Sequence, residues 1–71
     1  MTTEDKRRAC CEAFAKGQAV RIHTDRVELD LDFVGRWTFQ AYNIHDHSEG
    51  RPKIYFYESI KAIFVEGVKV L

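Results

Sequence analysis

The chain has 71 residues, 11 of them basic and 11 acidic, so its formal net charge is zero; 45% of its residues are hydrophobic. That is enough for one domain, spanning 1–71, and too little for separate cofactor and substrate domains; folding at this size buries only about 60% of the chain's surface. Zero net charge argues against a general nucleic-acid binder that works by neutralising phosphates, while leaving room for a local basic patch, and no stretch nears the ~20 apolar residues of a membrane span.

Residues 1–17 are predicted to form a helix. Thr2 and Asp5 have capping-box spacing, Glu4 and Asp5 sit at the positive end of the helix dipole, and Gly17 is a natural stop. On a helical wheel Ala9, Cys10, Ala13 and Phe14 share one face, opposite Asp5, Arg8, Glu12 and Lys16. The apolar face is narrow, so this helix is expected to cover a core built by other elements. The two cysteines, Cys10 and Cys11, are adjacent; a bridge between neighbours closes a strained ring, so free thiols in a reducing, cytoplasmic compartment are expected. The N-terminal segment has no long apolar run after its charges, which is not the pattern of a secretory leader.

From Ala19 the period changes to two. Val20, Ile22 and Thr24 alternate with Arg21 and His23, a tight turn is expected at 24–26, and Val27, Leu29, Leu31 and Phe33 alternate with Glu28, Asp30 and Asp32. Val34-Gly35 should carry a bend or bulge. Strands follow over 36–44, 53–57 and 60–65, with a polar loop at 45–52, a turn or bulge at Glu58-Ser59, a turn at Glu66-Gly67 and a short last strand over 68–71. One helix and about five consecutive strands with short turns predict a mainly β, α+β fold: an antiparallel meander bent into a small barrel of SH3-like or Sm-like type.

The C-terminal run Ile63-Phe64-Val65-Glu66-Gly67-Val68-Lys69-Val70-Leu71 is similar to the second motif of Sm-like proteins, an apolar strand, a basic residue, a glycine and a short apolar strand. Gly35, Phe39 and Asn43 stand where the first motif has its glycine, apolar and asparagine positions. The resemblance implies a helix followed by a bent five-stranded barrel and, for the family's usual role, RNA binding. Glu66 departs from it: the family carries a basic residue before the glycine, and an acid there repels phosphate. The family also includes a protein that docks on a protein through an acidic face, and the row Glu28, Asp30, Asp32 invites the same use here.

Three functional readings stand on named residues. The first is a non-enzymatic regulatory module that docks on a protein partner. Its candidate surface is the acidic row Glu28, Asp30 and Asp32, together with Trp37, Tyr55 and Tyr57; the tight turn is also expected to bring Arg21 near Glu28, so that Arg21 and Arg26 pair with the row across the hairpin. Ile54 and Phe56 alternate with Tyr55 and Tyr57, so with the first pair in the core both tyrosines stand exposed. Exposed Trp, Tyr and Arg are hot-spot residues; cross-strand aromatic pairing is the structural alternative. The second reading is an RNA- or nucleotide-binding module in which Arg36, Tyr42, Asn43, Arg51 and Lys53 form a basic, aromatic platform. The third is a metal-dependent protein: His45 and His47 point the same way in an extended chain, and a tetrahedral zinc would need two further ligands, His23 or an acid among them. No glycine-rich phosphate loop or distinctive carboxylate pair appears, so neither an enzyme nor a resident cofactor is expected. The apolar terminal strand over 68–71 is a candidate sheet edge, and unprotected edges pair with other chains; homo-oligomerisation through it is expected.

Overall fold

The computed structural model describes residues 2–46 and 50–71. Its helix, α1, runs Thr3–Ala15. Thr2 caps it as expected: its Oγ1 accepts from the Asp5 N–H at 3.1 Å, and the Asp5 carboxylate accepts from the Thr2 N–H at 3.2 Å. Lys16 is the C-cap. Gly17 then turns left-handed at φ 70°, where a side chain is disfavoured. Glu4 pairs with Arg7 on the exposed side. Cys10 and Ala13 are the residues that α1 buries. No helix of the described chain is long and apolar enough to cross a membrane.

Six strands follow: β1 (Val20–His23), β2 (Glu28–Val34), β3 (Thr38–Asn43), β4 (Lys53–Phe56), β5 (Ala62–Val65) and β6 (Val68–Lys69). They form one antiparallel sheet in the order β4-β3-β2-β1-β5-β6. The meander is therefore present through β4, after which the chain returns to place β5 on the free side of β1. The order is open, with β4 and β6 at its two ends. The last segment is held beyond β6 as well, since the N–H groups of Val70 and Leu71 both donate to the Ile63 carbonyl.

The turns have local causes. Thr24 Oγ1 accepts from the N–H groups of Arg26 and Val27 at 3.2 and 3.0 Å, and the Thr24 N–H donates to the Val27 carbonyl at 2.9 Å, which together close the β1–β2 hairpin. The expected bend in β2 lies earlier than Val34-Gly35: the register slips between Leu31 and Phe33, leaving Asp32 as the extra residue. Between β4 and β5, Tyr57–Ser59 form one 3-10 turn. Glu66 and Gly67 have φ of 50° and 82°, the left-handed pair that a tight I′ hairpin needs.

The core lies between α1 and the inner sheet face. Ile22, Leu29, Phe39, Ile60 and Ile63 are buried there with Cys10 and Tyr57. Ile22 stands opposite both Leu29 and Ile63 in register, so these three make one transverse apolar row. Phe39 stacks on Tyr55 at 5.7 Å and meets Tyr57 at 5.3 Å.

Candidate functional site

The expected exposure of β4 is inverted. Ile54 and Phe56 are 66% and 61% exposed, whereas Tyr57 is 1% exposed and Tyr55 half-buried. Tyr57 and Tyr55 therefore cannot serve as the exposed pair of a partner-binding surface. The physical reason is a hydrogen bond: the Tyr57 hydroxyl donates to the Gly35 carbonyl at 2.7 Å, which lets a phenol enter the core with its polar tip satisfied. Burial pushes the Tyr57 hydroxyl up to about 12.

That bond also fixes the β2–β3 hairpin tip. The Gly35 N–H donates to the Thr38 carbonyl at 2.9 Å, closing a two-residue loop of Arg36 and Trp37. A Cβ on Gly35 would lie 2.8 Å from that same carbonyl oxygen, so only glycine fits without movement. The loop projects Trp37, 73% exposed, with the Arg36 guanidinium over its ring at 5.0 Å. Thr38 stands opposite Phe56 and Gln40 opposite Ile54. Trp37, Phe56 and Ile54 thus follow one another from the hairpin tip along β4, an edge strand of the sheet. Arg51 precedes β4 and is exposed; Lys53 begins it and is exposed too. Trp37 is among the residues expected at the surface; Ile54 and Phe56 are not, because hydrophobicity ranks Ile and Phe as more core-like than Tyr. The signal that finds them is pairing: two tyrosines and Phe39 can stack together, and only one side of β4 faces Phe39.

The acidic row lies two strands away, and one of its three carboxylates, Asp30, is ion-paired with an arginine. Arg21 opposes Asp30, not Glu28, and its Nε donates to the carboxylate at 3.1 Å. His23 opposes Glu28 instead. Arg26, placed in the hairpin turn, makes no ion pair with the row. Asp32 is exposed at the bulge. Phe64 lies across from Arg21 and meets the His23 ring at a tilt, 4.6 Å between centroids, and a hollow of about 340 Å³ opens over Ala19, Arg21, Asp30 and Phe64. Tyr42, exposed, continues this row on β3 opposite Asp30.

The histidines gather partly as the metal reading requires. Nε2 of His23 and Nε2 of His45 approach the same Glu28 Oε2, at 3.9 and 3.8 Å. Asn43 accepts the His45 N–H on its side-chain oxygen at 2.9 Å, which sets the turn that brings His45 there. His47 lies outside the described residues. Among the described residues, no group of three His, Cys, Asp or Glu is placed to hold a metal ion.

Two further positions are structural. Cys10 is fully buried, and desolvation pushes its thiol up to about 12, which suppresses the reactive thiolate. Glu66 closes the β5–β6 turn onto β1: its N–H donates to the Ala19 carbonyl and its Oε1 accepts from the Ala19 N–H, both at 2.9 Å. No family model, curated protein or solved structure matches the chain.

Proposed function

We propose that this chain is a small non-enzymatic interaction module that docks on a protein partner through Trp37, Ile54 and Phe56. The observation that carries the reading is the concentration of these large, strongly exposed apolar side chains along one edge of the sheet. Leaving such a strip in water is costly at about 25 cal/mol per Å², and contiguous exposed apolar surface marks interaction sites. The acidic row is a weaker docking surface than its sequence suggests, because Arg21 and His23 stand against it. The module is a bent, Sm-like or SH3-like sheet in this reading. Its support is the element order, one capped helix followed by consecutive strands with a bulge at Asp32.

A second reading, single-stranded RNA binding, is favoured by the Arg36 guanidinium over the exposed Trp37 ring, with Arg51 and Lys53 farther along the strip. Capture from the native cell with and without nuclease separates the two. Protein docking predicts a partner retained after nuclease and lost with Trp37→Ala or Phe56→Ser. Loss on nuclease treatment, with retention falling steeply as salt rises, assigns the strip to RNA.

A further inference from the structure

We propose that β4 accepts an extended segment of a protein partner as an added strand, a segment with two apolar side chains at alternate positions and carboxylates at both ends. The proposal rests on the docking reading above and specifies its partner. β4 ends the sheet on one side, so among the described residues no further strand pairs with its outer edge. Natural edges are blunted with proline and lysine. β4 has both at its start, Pro52 and Lys53, but then leaves Ile54 and Phe56 exposed. These two are alternate residues on one face, about 7 Å apart along the strand, which is the spacing an added strand's own alternate side chains match.

Charge selects the ends of the segment. Arg51 lies before Ile54 and Arg36 lies beyond Phe56, on the hairpin tip next to Thr38, the residue that opposes Phe56. Both arginines are exposed, and neither has a carboxylate partner among the described residues. Along β4 itself, from Arg51 to the hairpin tip, the order is therefore basic, apolar, apolar, basic, with Trp37 beside Arg36 at the tip, and its complement is acidic, apolar, apolar, acidic. A second copy is a poor complement: at the other open edge, β6, Lys69 stands between Val68 and Val70, and the acid before them, Glu66, is already engaged by the Ala19 N–H. RNA is also disfavoured, because the strip's centre contains the aliphatic Ile54, which offers no stacking face.

The test uses a fluorescein-labelled octapeptide with paired aspartates at each end, valines at its fourth and sixth positions and threonines between. Fluorescence anisotropy reads affinity, and amide hydrogen exchange reads which backbone groups become protected. Saturable binding is expected, with new protection in β4. Arg36→Glu with Arg51→Glu should weaken it by about tenfold or more, and a peptide with lysines in place of the aspartates should do the same. Proline at the fifth position should abolish protection. Absence of saturable binding up to about 1 mM, the weak end of specific recognition, overturns strand addition, as does binding without β4 protection. A single-stranded RNA decamer that binds more tightly than the peptide, and is indifferent to Ile54→Ala, overturns it in favour of RNA. Sedimentation showing a dimer abolished by Ile54→Lys overturns it in favour of a second copy. If the peptide fails while nuclease-resistant capture still depends on Trp37 and Phe56, strand addition alone falls; if that capture also fails, the docking reading falls with it.

Discussion

The two faces of β4 and the turn that follows it carry similar side chains and have opposite fates. Tyr55 and Tyr57, the more polar pair, turn toward Phe39 and the core, while Ile54 and Phe56 face solvent. Hydrophobicity alone ranks them the other way. The difference teaches that burial is decided by what the neighbouring strand and turn offer: the inner side offers a flat Phe39 ring and an unpaired Gly35 carbonyl, and a tyrosine uses both. The outer side offers Thr38 and Gln40, which cover little.

The sharpest way to break this comparison is to truncate one ring on each side. Phe39→Ala should cost about 3–5 kcal/mol, enough to unfold a domain of this size, whereas Phe56→Ala should stay within about 0.5 kcal/mol. Urea denaturation followed by circular dichroism measures both; comparable losses would mean that the outer face is covered. Gly35→Ala comes next. Its Cβ meets the Thr38 carbonyl, so a shift of the hairpin tip costing about 1–3 kcal/mol is expected, as for other overpacked sites, and Trp37 fluorescence should report the movement.

Tyr57→Phe tests the hydrogen bond that admits the tyrosine. At neutral pH it should cost about 1 kcal/mol, leaving the Gly35 carbonyl without its donor. The native Tyr57 hydroxyl titrates near 12 against an ordinary 10.0, and the native Cys10 thiol near 12 against 9.0. The unfolded chain therefore releases both protons first, so this stabilisation is complete below pH 9 and is lost as pH rises toward 12. Tyr57→Phe should make the alkaline loss less steep above pH 10, as measured by urea midpoints across that range. A small effect belongs to the outer face again: Arg21→Ala removes a half-exposed pair with Asp30 and should change stability by less than about 1 kcal/mol. A larger loss by the same denaturation would show that the acidic row depends on Arg21.

Much of the fold was legible locally. Thr2 and Asp5 close the capping box, Gly17 ends the helix, the turns near 24–26 and 66–67 lie where expected, and Leu29 alternates inward between Glu28 and Asp30. The structure departs from the local reading where pairing between elements decides the outcome. Arg21 meets Asp30, not Glu28, because Thr24 sets the hairpin register. The bend moves to Asp32 because β3 pairs on both sides of it. Tyr57 is buried because Gly35, 22 residues earlier, receives its hydroxyl.

By itself the sequence determined the helix and its caps, the period-two strands and their approximate order, because those depend on neighbours within a few residues. It also determined that the net charge is zero, with acids gathered at 28–32 and bases at 51–53. The tertiary structure decided which side of each strand faces α1, that β5 returns beside β1, and that β4 ends the sheet with Ile54 and Phe56 outward. These outcomes depend on contacts between residues far apart in the chain, where a hydrogen bond or a stacked ring outweighs the hydrophobic ranking of a single side chain.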